Sequence, residues 1–237
     1  MNDTGGATHY CYFDIEIDGK DSGRLDFELY GKKSPKSINS FLAFLSGDFD
    51  PLMRYKGCSF HRIHEQRFLQ SGDFINRDGT GSATVYPEDN NEKFYKATMP
   101  AEENGLEFVE PYILAMAANN AGQTGSQFFI TTDKLTPLNG SKHTIIGRLI
   151  RGKSTIDLME GTESFRHFTR GLSTDLPNSG GLPFNEQEKE EVSIVNVVIS
   201  DCGVYKFETS DNVRKTFSGA GRTDFNPEDF LRSRQQK

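Results

Sequence analysis

Two short stretches of the chain carry residue types that could do chemistry. Gly147 to Ser154 reads GRLIRGKS. This fits G-x-x-x-x-G-K-[ST], the loop that cradles nucleotide phosphates on backbone N–H groups and a lysine. Phe60 to Phe74 reads FHRIHEQRFLQSGDF, with Arg62 between His61 and His64 and with Gln70 downstream. A histidine pair could ligate a metal, but on a strand a spacing of three sends the two rings to opposite faces. Taken alone, Arg62 reads as a surface or salt-bridged residue, and Phe68 and Phe129 read as core. The three cysteines, Cys11, Cys58 and Cys202, include no C-x-x-C pair. They suggest neither a disulfide framework nor a thiolate zinc site, and read as small buried hydrophobes.

These residues must be held by elements that the pattern of the chain predicts. Cys11, Phe13, Ile15 and Ile17 alternate with polar residues, as do Leu25, Phe27 and Leu29. Period two indicates half-buried strands, and Asp18-Gly19 and Ser22-Gly23 between them are turn signals for an antiparallel hairpin. Ser34-Pro35 opens a helix, with serine as cap and proline at the first position. Ile38, Phe41, Leu42 and Leu45 give it one apolar face, and Gly47 ends it. Further short strands are predicted around Ser59–Ile63, Phe68–Phe74, Tyr112–Ala117, Gln127–Thr132, Thr144–Leu149 and Val195–Cys202. A second helix starts at Lys153–Ser154 and runs to Gly161. Many short strands with two helices predict an antiparallel barrel or sandwich.

That arrangement decides the phosphate-loop match. A working loop needs a parallel strand that ends before its first glycine, then a glycine-rich arc. Here Thr144 to Ile150 reads as one strand with Gly147 inside it, and Arg148-Leu-Ile-Arg151 is bulky. The stretch therefore predicts a strand, a tight turn at Arg151-Gly152 and a helix start.

The chain has 237 residues, 35% of them apolar, and a net charge of −7. An acidic balance argues against nucleic-acid phosphate as the main partner. No run has the length of a membrane span, and Met1 to His9 lacks the apolar core of a signal peptide. A soluble cytoplasmic or nuclear protein is expected. Pro87–Glu110, Thr162–Glu191 and Thr209–Lys237 look like additions to the core. Within the last, Phe225–Leu231 could start a helix.

Several segments in order carry a resemblance: FDIEIDGKDSGRLDFELY (13–30), SPKSINSF (34–41), YKGCSFHRI (55–63), FLQSGDF (68–74), GTG (79–81), ILAMAANNAGQTGSQFFITT (113–132), LNGSKHTIIGRL (138–149) and SDCGV (200–204). The chain resembles the cyclophilins, peptidyl-prolyl cis–trans isomerases. The resemblance implies a mainly β fold, a closed antiparallel eight-stranded barrel capped by two α-helices. It spans residues 10–207, after a flexible leader at 1–9, with insertions at about 87–110 and 162–191 and a polar extension at 208–237. It implies that Arg62 is the catalytic arginine and that Gln70 orients it. His61, Phe68, Ala117, Ala118, Gln127, Phe129, Leu138 and His143 match positions that bind substrate. No metal or other cofactor is implied. The partners implied are proline-containing polypeptide clients, with a larger protein complex as a further partner of the insertions or tail. Neither a membrane nor nucleic acid is expected.

Four positions depart from the family pattern. Arg67 stands where a pocket phenylalanine is usual, which makes the proline pocket less apolar or sends the arginine to solvent. Pro137 stands where tryptophan is common, which weakens the case for tight cyclosporin binding. AANNAG (117–122) replaces ANAGPN, and Ser141 lengthens the loop before His143, which could displace it. Two functions therefore stay open, an isomerase and a cyclophilin-like binding scaffold with little activity.

Overall fold

The computed structural model describes residues 4–88, 91–162 and 196–205. The acidic run Glu186–Glu191, Gly180-Gly181, and the stretch Thr209–Lys237 with its expected helix start lie outside the described residues. The elements in order are β1 (His9–Ile17), β2 (Lys20–Leu29), α1 (Pro35–Ser46), β3 (Arg62–His64), β4 (Phe68–Ser71), β5 (Pro87–Glu88) and β6 (Asn91–Tyr95). They continue with β7 (Met99–Pro100), β8 (Ile113–Ala118), β9 (Gln123–Thr131), β10 (Thr144–Arg151), α2 (Lys153–Glu160) and β11 (Val197–Val204). No helix among the described residues is long and apolar enough to cross a membrane.

Eight strands curl in the order β11-β1-β2-β10-β8-β9-β4-β3, and β7 adds to β9. The segment before β3 brings the two ends together. Phe60 N donates to Val197 O at 2.8 Å, Gly57 N donates to Ile199 O at 2.7 Å, and Ser59 bridges Val198. The expected antiparallel barrel with two helices is the observed architecture. Its interior is aromatic: Phe13, Phe27, Phe41, Phe44, Tyr55, Phe60 and Phe128 are all buried. Phe13 and Phe128 stack at 5.3 Å. The Tyr55 hydroxyl donates to Ser126 O at 2.8 Å, which gives the buried O–H its partner.

The β1–β2 hairpin turns at Asp18 and Gly19, both at positive φ (51° and 73°), as a two-residue turn that matches strand twist requires. Ser22-Gly23 is not a second turn. It lies within β2, where Gly23 has φ 117° and the register shifts opposite Ile15/Glu16, making a bulge. Helix α1 begins with Pro35 at its first turn and ends on Gly47 in the left-handed region. Ser34 does not cap it with its side chain. The hydroxyl instead donates to Ile145 O and accepts from Asn104 Nδ2. The cap comes from Glu102, whose carboxylate accepts from Lys36 N (3.1 Å) and Ser37 N (2.7 Å), favourable charge at a helix N-terminus.

The hairpin strands are not half-buried as their alternation predicts. The polar positions of β2 are also covered: Arg24, Asp26 and Glu28 are buried. Asp14 pairs with Arg24 (2.6 Å), Asp26 with Arg151 (2.6 Å) and Glu28 with Arg148 (2.6 Å). The Tyr205 hydroxyl donates to Asp26 Oδ1 at 2.5 Å. Buried charge needs such partners. The two arginines of GRLIRGKS thus face carboxylates across the sheet. Gly147 lies inside β10, where a Cβ would drive into the Glu28 carbonyl, and Gly152 (φ 106°) makes the turn into α2.

Candidate active site

The outer face of the other half of the barrel collects the predicted site residues. Strand register does it. Arg62 on β3 pairs with Gln70 on β4, Gln70 with Phe129 on β9, Phe129 with Ala115 on β8, and Ala115 with Ile145 on β10. Paired residues share a face, so these five form one row across five strands. At about 4.8 Å per strand, Arg62 and Phe129 stand about 10 Å apart along it.

The middle of the row is apolar. Phe68, Phe108, Ala115, Ala117, Phe129 and Leu138 belong to one buried cluster, separate from the barrel interior. Phe108 stacks on Phe129 at 5.8 Å, and Phe68 meets Phe129 edge-on at 6.2 Å. The His143 ring stands on Phe129 at 5.1 Å, nearly perpendicular. Phe68 and Phe129 have 0% of their surface exposed and Leu138 4%. The Arg62 guanidinium lies over the Phe68 ring, 4.9 Å from its centroid. The expected pocket residues do come together, but they meet as a filled cluster roofed by a cation.

A polar chain runs beside this cluster. Gln70 Nε2 donates to Gln127 Oε1 at 2.8 Å, and Gln127 Nε2 donates to Gly79 O (2.7 Å) and Gly81 O (2.8 Å). This leaves the buried Gln70 Oε1 as an acceptor without a hydrogen-bond partner, on the residue that pairs with Arg62. The GTG loop is shaped by Asp73, whose carboxylate accepts from the backbone N–H of Ile75, Asn76, Asp78, Gly79 and Gly81. Burial pushes the Asp73 carboxyl up, but these donors outweigh it and hold it below its ordinary value. A Cβ on Gly79 would stand 2.9 Å from the His61 ring, so only glycine lets the loop close on it.

Both site histidines are neutral. Burial pushes His143 down to about 4. Its Nδ1 accepts from Ala118 N at 2.9 Å, so the proton sits on Nε2. His61 is also pushed to about 4, by burial first, against the pull of Asp73. Neither of its ring nitrogens has a hydrogen-bond partner. Burial lowers Arg62 to about 10, and the charge that adds to this is another cation, Arg67.

The departures resolve differently. Arg67 is neither in the apolar cluster nor fully in solvent: it is half-buried beside Arg62. Ser141 does not pull His143 from the site, since Ser141 N bonds Leu138 O and the ring keeps its contact with Phe129. Asn119 closes the β8–β9 turn, its Oδ1 accepting from Ala121 N and Gln123 N at 3.0 Å each. Pro137 lies in a 3-10 turn, Thr136–Leu138, that delivers Leu138 to the cluster. Phe108, in the stretch expected to be an addition to the core, is a further member of this cluster. The local signal was the apolar run Leu106-Glu-Phe108-Val109 inside a charged stretch. Phe108 is fixed by its N–H to Asn139 Oδ1 (2.7 Å) and its carbonyl to Leu135 N (3.0 Å).

Residues 12–200 match the family model of cyclophilin type peptidyl-prolyl cis-trans isomerases. The fold is similar to a solved Cryptosporidium parvum cyclophilin type peptidyl-prolyl cis-trans isomerase, with a TM-score of 0.59 at 24% identity. That match covers 84% of this chain and 99% of the other. The curled sheet, the two helices and the extent of the family match agree, and the chain belongs to the cyclophilin-type peptidyl-prolyl cis–trans isomerases.

Proposed function

We propose that the chain accelerates cis–trans exchange at X-Pro bonds of polypeptide clients, with Arg62 as the catalytic residue, and that it serves their folding or assembly. Rotation about a peptide bond is opposed by amide resonance, a barrier of ~18–20 kcal/mol. Both X-Pro isomers are populated, and they exchange over tens to hundreds of seconds. At the twisted state the proline nitrogen turns pyramidal and regains a lone pair. A guanidinium N–H aimed at that nitrogen stabilises the twisted amide above either planar form, which is catalysis by differential binding. Arginine suits the task because it stays charged and carries a rigid fork of donors.

The observation that carries this reading is the row Arg62–Gln70–Phe129, with the guanidinium over Phe68. It sets a donor at the edge of an aromatic floor suited to a prolyl ring. Gln70, whose Oε1 is left as an acceptor on the residue paired with Arg62, orients the guanidinium, and Gln127 holds Gln70 in place. His143, held neutral, borders the floor without adding charge. Ala117 and Ala118 border it on β8, and His61 supports Arg62 from the GTG side. The test is exchange NMR on short X-Pro peptides with the purified chain. Accelerated exchange supports the isomerase; none on any peptide, from folded protein, contradicts it.

A second reading has its own observation. The floor rings Phe68 and Phe129 have no accessible surface, so a prolyl ring must displace a neighbour to reach them. A scaffold that binds partners with little turnover would keep such a floor closed. Peptide binding without accelerated exchange would select it. Either way Pro137, in place of the aromatic that resembling proteins use, predicts weak cyclosporin binding. The protein is placed in the cytoplasm or nucleus on this reading, as one member of a larger protein complex.

A further inference from the structure

We propose that the site prefers polypeptides with an anionic side chain, a carboxylate or a phosphate ester, next to the proline, and that Arg67 determines this preference. The inference rests on the reading of the same face as the isomerase site.

Arg67 stands in the turn that leads into β4. Its backbone is fixed on both sides: its N–H donates to His64 O at 3.0 Å and its carbonyl accepts from Thr132 N at 2.9 Å. The next residue is Phe68, and over that ring, 4.9 Å from its centroid, lies the Arg62 guanidinium. Arg62 starts opposite Gln70 in the register. Its head group thus reaches along the hairpin toward its closed end, where Arg67 is. The two arginines are close enough for the charge of one to disfavour the charge of the other.

Fixed like charges at a cleft attract a shared counter-ion. Among the described residues the Arg67 side chain has no hydrogen bond or ion pair. Of the acids at this turn, Glu65 is exposed and Glu160 of α2 accepts from Gln66 N at 2.7 Å, and neither forms an ion pair with Arg67. Farther along the face, Asp73 is taken up by backbone N–H groups and Asp78 Oδ1 accepts from Thr80. Gln70, Gln127 and the neutral His61 and His143 add no negative charge to the face. Two arginines thus stand together at this edge, Arg67 without an ion-pair partner among the described residues, on a chain of net charge −7. An arginine fork receives a carboxylate or phosphate through paired N–H···O bonds. A side chain beside the proline would bring that group to Arg67 while the X-Pro bond lies under Arg62.

The test is exchange NMR on matched tetrapeptides that differ only before proline: Glu-Pro, phosphoserine-Pro, Ala-Pro and Lys-Pro. We expect acceleration about tenfold greater for the anionic peptides than for Lys-Pro, the scale of one charge-assisted contact. Raising the salt to about 0.5 M should shrink the ratio. Arg67→Gln should bring it near unity, and Arg67→Lys should retain part of it. A preference for phosphoserine alone would identify phosphate as the group recognised, and equal gains would identify negative charge in general. Equal acceleration of all four peptides would overturn the inference and leave the isomerase reading intact. An anionic preference that survives Arg67→Gln would overturn the assignment to Arg67. If no peptide is accelerated, the isomerase reading falls. Peptide-induced shifts in the same spectra then decide this inference: tighter binding of the anionic peptides supports it, and equal binding overturns it.

Discussion

The two outer faces of the same curled sheet treat charge in opposite ways. On β1, β2 and β10, each carboxylate of the layer meets an arginine: Asp14 with Arg24, Asp26 with Arg151, Glu28 with Arg148. On β3, β4, β9 and β8, the charge that bears on half-buried Arg62 is a second arginine, and the histidines beside it are neutral. The first face is an ionic layer that covers the barrel. The second holds cationic charge at the edge of an aromatic cluster. Opposite charges lock the first face together, and like charges stand side by side on the second.

The largest effect on this contrast should come from the matched face. Asp26 is 0% exposed, and Asp26→Ala leaves Arg151 and Tyr205 without their shared acceptor. Removing one member of a buried pair costs about 3 kcal/mol at the low end of its range, which applies because Arg151 is 38% exposed, and the loss is read as a shift of the denaturant midpoint. Exchange per folded molecule should stay at the parent rate. A variant as stable as the parent would mean that this layer holds nothing together.

On the site face, Phe108→Ala removes the ring stacked on Phe129. A cavity of this kind costs about 3 kcal/mol, and it uncovers the floor. Stability should fall while KM for X-Pro peptides changes. Loss of stability with unaltered KM would show that Phe108 only packs the cluster.

Acid should act on the site face through its histidines. Both have folded values of about 4, below the ordinary 6.5. A depressed histidine contributes stability that is fully present above pH 6.5 and is lost as pH falls toward 4, because the unfolded chain binds the proton first. Protonating His143 also ends its bond from Ala118 N. The denaturant midpoint should drop between pH 7 and pH 5, and His143→Asn should reduce the drop. A flat profile over that range would contradict the neutral, buried assignment.

How much of this was legible in the sequence depended on distance along the chain. The hairpin turn at Asp18-Gly19, helix α1 and the strand through Gly147 follow from local patterns, and the last of these disposes of the phosphate-loop match. The segment 60–74 showed its order of residues, and family resemblance supplied roles. The buried layer on β2 was not legible, because Arg24, Asp26 and Glu28 alternate as solvent-facing residues do. What buries the last two is Arg151 and Arg148, more than a hundred residues away. The cap of α1 by Glu102 and the stack of Phe108 on Phe129 failed for the same reason: each depends on a partner that no local window contains. The closeness of Arg67 to Arg62 followed from hairpin geometry, which the substitution alone did not reveal.

The central claim is that Arg62 does chemistry and does not merely hold the face together. The most direct measurement is X-Pro exchange by NMR with Arg62→Ala beside the parent, together with their denaturant midpoints. The expected result is a loss of acceleration of about 10²–10³-fold, the scale of removing one donor from a developing charge, at a nearly unchanged midpoint. Undiminished exchange in a folded Arg62→Ala protein would contradict it.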